Sequence, residues 1–119
     1  MEPLAIKAEL VLDADGKPVG RSSGHYRIRI HVEGAPEDAY KATYQLHSTY
    51  YDPVREARDR ESGFSEELTS YGDFVLQARV RTRSRSLGTA RALADALDES
   101  HGASSDADVR KALSDIRRN

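Results

Sequence analysis

The sequence predicts an all-β sandwich closed by a short C-terminal α-helical tail. Three observations predict it. Several short segments alternate apolar with polar residues, clusters of Asp, Gly and Pro separate them, and beyond Arg85 the apolar spacing becomes helical. Alternation with one wet face suits antiparallel sheets, which pack one side on a core and show the other to water. With 119 residues the chain is long enough for one domain with a real but modest core.

Taken in order, Ile6, Ala8, Leu10 and Leu12 alternate with Lys7, Glu9 and Val11, as in a half-buried strand, and DADGKPVG then supplies a turn. The clearest strand follows: Tyr26, Ile28, Ile30 and Val32 face one way, His25, Arg27, Arg29 and His31 the other. EGAPED turns the chain again, and Tyr40, Ala42, Tyr44 and Leu46 alternate with Lys41, Thr43, Gln45 and His47. Residues 48–63 have no periodicity and much charge, so they read as a long loop, a feature more often functional than accidental. Residues 64–69 form a short strand, and Phe74, Leu76, Ala78 and Val80 mark the last, giving about six strands.

Leu87, Ala90, Leu93, Ala94 and Leu97 then repeat at helical spacing, with Ser86 or Thr89 as the cap and His101 and Gly102 as the stop. A second helix is expected over 105–118, with Val109, Ala112, Leu113 and Ile116 on one stripe and Asp106 and Asp108 at its positive end. The expected division is a sandwich over 1–85 and a helical extension over 86–119.

Composition removes whole classes of function. Hydrophobic residues make up 38% and charged residues 32%, an ordinary folded balance. A net charge of −2 gives the molecule no general attraction to nucleic acid, and no nucleic-acid partner is expected. The absence of cysteine excludes disulfides, thiolate metal sites and a cysteine nucleophile. No apolar run approaches the roughly 18 residues of a membrane span. The start, MEPLAIKAELVL, opens on an acid and carries internal charges, unlike a signal peptide. The expected location is the cytoplasm, with no membrane partner.

Two short patterns stand out: LHSTYYDP at 46–53 and TSYGDF at 69–74. With Leu46, His47, Thr49, Tyr50 and Pro53 in the first and Tyr71, Gly72, Asp73 and Phe74 in the second, they resemble the signature of the YEATS domain. The resemblance covers roughly residues 4–83 and leaves the helical tail outside. It implies an immunoglobulin-like β-sandwich that reads acylated lysine, and a bacterial form of the domain acting as a sensor or adaptor in a signalling or conflict system. It departs from the usual pattern at Ser70, where glycine is common, at Tyr51, where proline is frequent, and in the charged insertion RDRES.

The resemblance further implies an acyl-lysine site built from His47, Thr49, Tyr50, Ser70, Tyr71, Gly72 and Asp73. Loops at one end of a sandwich come together, so Tyr50 and Tyr71 would face each other across a slot. Acylation makes lysine neutral and ends it in a flat amide, which can lie between two rings. The amide still needs partners once buried. By similarity, the Thr49 hydroxyl would bond its N–H, and the Tyr71 backbone N–H its carbonyl. His47 would line the pocket and support its loop, while Gly72 would allow close backbone approach. Asp73 would either close a loop hydrogen bond or meet the peptide.

Other chemistry is weaker. His25 and His31 share a strand face but lie about 20 Å apart, too far to share an ion, so no metal and no cofactor is expected. His47 beside Ser48 and Asp52 has the residue types of a triad, but no oxyanion motif accompanies it, and no enzyme activity is expected. RVRTRSRS places Arg79, Arg81, Arg83 and Arg85 on one strand face, with Arg27 and Arg29 on the same sheet, as a solvated face or a phosphate-contacting stripe. The rival to an acyl-lysine reader is a protein–protein interaction domain with a vestigial slot, working through its helical tail. Oligomeric state is not legible.

Overall fold

A computed structural model describes residues 3–20 and 22–119. Met1 and Glu2, on which the reading of the N-terminus partly rests, lie outside the described residues. Those residues form two antiparallel sheets, two α-helices and a 3-10 turn at Arg60–Ser62. One sheet has the order β1-β2-β5, from β1 (Ala5–Leu10), β2 (Tyr26–Glu33) and β5 (Glu66–Ser70). The other has the order β4-β3-β6-β7, from β3 (Lys41–Gln45), β4 (Val54–Ala57), β6 (Val75–Arg81) and β7 (Ser86–Ala92). The helices are α1 (Leu93–His101) and α2 (Ala107–Arg118).

The strong alternations set the register. Ile6 pairs with Val32, Ile28 with Leu68, and Tyr44 with Ala78. Because side chains alternate strictly, these pairings put Tyr26, Ile28, Ile30, Ala42, Tyr44, Leu76, Ala78 and Val80 together in one core between the sheets. Tyr44 is wholly buried and donates its hydroxyl to the Phe64 carbonyl at 2.6 Å; burial drives its pKa far up, so it stays a neutral donor. The accepting Phe64 has φ +57°, a strained value for an aromatic residue, held by this bond and by complete burial.

Three expectations are corrected. Residues 86–92, expected to begin the helical tail, form β7, paired with β6 along its whole length, and helix starts only at Leu93. Leu87 and Ala90 satisfy a helical spacing, but the open edge of β6 offers a full ladder of backbone partners, and tertiary pairing overrides a weak local preference. Within the expected loop 48–63, VREA forms β4 against β3; as a four-residue edge strand with one buried side chain, it carries no readable alternation. Strand pairing thus yields seven strands among the described residues.

The arginine stripe is divided. Arg79 and Arg81 face outward on β6, whereas Arg83 and Arg85 sit in the β6–β7 turn, organised by Thr82, whose backbone N–H donates to the Arg85 carbonyl at 2.9 Å. Arg27 and Arg29 lie on the other sheet, paired with Glu67.

The helices cover one side of the sandwich. α1 meets both β1 and β7. Ser100 Oγ donates to the Ala8 carbonyl at 2.5 Å, and the Leu10 N–H donates to His101 Nε2 at 2.9 Å. Asp106 caps α2, accepting from the N–H groups of Asp108 and Val109 at 2.9 and 3.1 Å, and Lys17 bonds the same carboxylate at 2.7 Å. Val109, Ala112 and Ile116 are buried, and Tyr26 donates its hydroxyl to Asp115 at 2.6 Å.

Candidate functional site

β3 ends at Gln45 and β5 at Ser70, and both chains then turn at the same end of the sandwich. Leu46 is buried and anchors the first turn; its N–H donates to the Pro53 carbonyl at 2.7 Å, pinching 46–53 into a closed loop. Inside the loop the Tyr50 N–H donates to the His47 carbonyl at 3.1 Å. The second turn is held by Ser70, whose hydroxyl donates to the Gly72 carbonyl at 2.7 Å and accepts from the Gly72 N–H at 3.3 Å.

The two turns enclose a cavity of about 270 Å³. All seven residues singled out in the sequence line it: His47, Thr49, Tyr50, Ser70, Tyr71, Gly72 and Asp73. Thr69, Phe74, His25 and Asn119 complete the lining. The volume falls below the roughly 300–1,000 Å³ of pockets that bury drug-sized ligands, and suits the flat end of one side chain better than a cofactor.

The aromatic framework differs from two facing tyrosines alone. Phe74 is its hub, with Tyr50 tilted against it at 5.6 Å between ring centroids and His47 edge-on at 6.4 Å. Tyr50 is half-buried; burial pushes its pKa up, against smaller opposing effects from the Ser70 hydrogen bond and Arg55. Tyr71 is 60% exposed at the rim and leans on His25, 5.5 Å away. Tyr51 is fully exposed and lies outside the lining.

The polar groups have defined roles. The Thr49 N–H can only donate, and it points at His47 Nδ1 at 3.2 Å, so Nδ1 is an acceptor and a neutral ring carries its proton on Nε2. The Thr49 hydroxyl, 2.9 Å from the same nitrogen, therefore donates to it and keeps its lone pairs for another donor. The Tyr71 N–H donates to no protein acceptor among the described residues. The cavity lining thus includes one hydroxyl acceptor and one backbone donor, with the rings of Tyr50, Tyr71 and Phe74.

Asp73 serves the fold. Its carboxylate accepts the Ala94 N–H at 2.9 Å, capping α1, whose own N-cap Ala92 has no polar side chain. Gly72 is required by a protein neighbour: a Cβ there would sit 2.8 Å from the Asn119 carbonyl oxygen. His25 and Asn119 escaped sequence reading. His25 lies just before β2, where Gly20, with φ +90°, packs so closely that a Cβ would come within 2.0 Å of the His25 carbonyl. The turn signal DADGKPVG ends at Gly20 without pointing to His25, and nothing in the sequence joins residue 119 to residue 72.

The surroundings of His47 are those of a loop support. His47 Nδ1, the nitrogen a triad offers to its acid, is occupied by Thr49. Among the described residues no three His, Cys, Asp or Glu side chains come together to hold a metal ion.

The sequence pattern of the prokaryotic YEATS domain matches residues 26–89, more than half of the chain. In structure the chain is similar to the YEATS domain of Yaf9 bound to H3K27ac, with 20% identity, TM-score 0.54, and coverage of 76% of this chain and 73% of that one. It is similar also to the yeast AF-9 homolog protein Yaf9, at 22% identity, TM-score 0.54 and coverage of 76% and 67%. The Yaf9 YEATS domain recognizing an H3K122suc peptide gives 21% identity, TM-score 0.53 and coverage of 76% and 68%. At these identities the likeness is one of fold. No curated protein matches the chain in sequence.

Proposed function

This chain belongs to the prokaryotic YEATS domain family, and from that premise we propose that it is a binding module for acylated lysine on a protein, without catalytic activity. The observation that carries the reading is the convergence of two motifs, about twenty residues apart in sequence, on one aromatic cavity lined by the Thr49 hydroxyl and by Tyr71, whose N–H has no protein acceptor among the described residues. The acyl amide lies between Tyr50 and Tyr71. Its N–H donates to the Thr49 hydroxyl, and its carbonyl accepts from the Tyr71 N–H. An uncharged flat amide satisfies both groups; an unmodified ammonium has no acceptor for the Tyr71 N–H and is costly to desolvate.

The Yaf9 YEATS structures, bound to acetylated and succinylated histone peptides, support a peptide as the kind of partner. By analogy of family, the module is a sensor or adaptor of a bacterial signalling or conflict system and works in the cytoplasm. None of the described helices is long and apolar enough to cross a membrane. The rival, a docking site on the helical tail, has little apolar surface to use: Leu93, Ala94, Ala96, Leu97, Val109, Ala112 and Ile116 are already buried.

Titration calorimetry against acylated and unmodified lysine peptides tests the reading. Binding of the acylated peptide alone, in the micromolar to millimolar range of a small site, is expected. Equal binding of both, or none across several acyl types, would overturn it.

A further inference from the structure

The segment 70–74 is fastened on its outer side to the two helices. The Leu93 N–H, at the start of α1, donates to the Phe74 carbonyl at 2.9 Å, and the Ala94 N–H donates to Asp73 Oδ1 at 2.9 Å. At the far end of α2 the Asn119 carbonyl receives the Asp73 N–H at 3.4 Å and presses on Gly72 with no room for a Cβ. Asn119 itself lines the cavity, and its side-chain amide donates to the Asp115 carbonyl at 2.7 Å, one turn back in α2. Asp115 in turn receives the Tyr26 hydroxyl at the base of β2.

We infer that Asn119 is a wall of the slot and that the α1–α2 tail positions the 70–74 loop, so that acyl-lysine binding and docking of α2 are thermodynamically coupled. α1 has no cap of its own and takes one from Asp73, so loop and helix start cannot move independently. A ligand that immobilises Tyr71 and Gly72 tightens the seat of Asn119; α2 lifting off its seat frees the Asp73 N–H and the face of Gly72 and widens the slot. By linkage, whatever the tail does to the affinity, the ligand does to tail docking by the same factor. The tail is thereby an output of the site. The coupling to ligand rests on the acyl-lysine reading; the fastening of loop to tail does not.

The test perturbs α2 at the end away from the slot. Asp106→Ala removes the cap and the Lys17–Asp106 ion pair, leaving the one to Asp108, one 12-residue helix from Asn119, about 18 Å away. Three outcomes are expected: hydrogen exchange at the Asp73 amide rises together with that of α2, crotonyl-lysine peptide affinity falls about fivefold or more, and in the wild type the same peptide slows exchange through 107–119. The inference is overturned if α2 exchange rises while the Asp73 amide and the affinity stay unchanged. Should Asp106→Ala unfold the chain, Lys17→Met loses only the ion pairs to α2 and is read in the same way. A wild type that binds no acylated peptide refutes the reader function, and the Asp73 exchange then decides the fastening by itself.

Discussion

Truncating Tyr71 to alanine should separate binding from folding. Tyr71 is 60% exposed, and its ring leans, tilted, on His25 at 5.5 Å between centroids. An aromatic pair adds about 0.5–1.5 kcal/mol beyond area burial, and the lower part of that range suits a rim pair surrounded by water. Loss of this contact and of the covered part of the ring should cost the fold about 1 kcal/mol at most, which is a fall of a few degrees in Tm for a domain this size. In the complex the ring becomes one wall of the slot, desolvated on its inner face. Its loss should then weaken acyl-lysine binding at least tenfold, about 1.4 kcal/mol. Calorimetric titration and thermal melting on the same preparations give both numbers. Tyr50→Ala is the contrast: its half-buried ring packs on Phe74 and the core, so that variant should melt well below Tyr71→Ala. A Tyr71→Ala protein that is largely unfolded, or that binds the acylated peptide undiminished, would refute the assignment of Tyr71 as a wall.

A crotonyl group stays coplanar with its amide and extends stacking between the rings, so crotonyl-lysine should bind about 0.5–1.5 kcal/mol more tightly than acetyl-lysine; competition titrations should show this margin unchanged between low and high salt, since the ligand is neutral. Asp73→Ala removes the cap of α1 and should lower stability by about 0.5–2 kcal/mol in denaturant melts, with the midpoint moving and the slope unchanged. Burial lowers the His101 pKa below its model-peptide value of 6.5, with Glu9 opposing, so the folded state resists the proton that the unfolded state accepts. The His101 contribution to stability is therefore complete above pH 6.5 and is lost as pH falls through the lowered folded value; His101→Gln should flatten that part of a stability–pH curve, and an unchanged curve would exclude His101 as its source.

The strands that alternate cleanly were legible because each is buried on one side only. Tyr26 to Val32 and Leu76 to Val80 write their inward face into every second residue, and the two loop motifs between such strands were legible through their resemblance to the YEATS signature. β4 and β7 were not legible. One is a four-residue edge strand with little to bury, and in the other Leu87 and Ala90 fit a helix as well as a strand until β6 supplies a partner. The sequence by itself determined the inward faces of the alternating strands and that a helical tail follows them, though not where it starts, and its two loop motifs carried the family resemblance. The tertiary structure alone decided that Phe74 is the aromatic hub, that Asp73 caps a helix, and that His25 and Asn119 reach the cavity. Periodicity and motif are local in sequence. Capping between elements and close backbone approach depend on where segments some 20 to 50 residues apart come to rest, and only the packed chain fixes that.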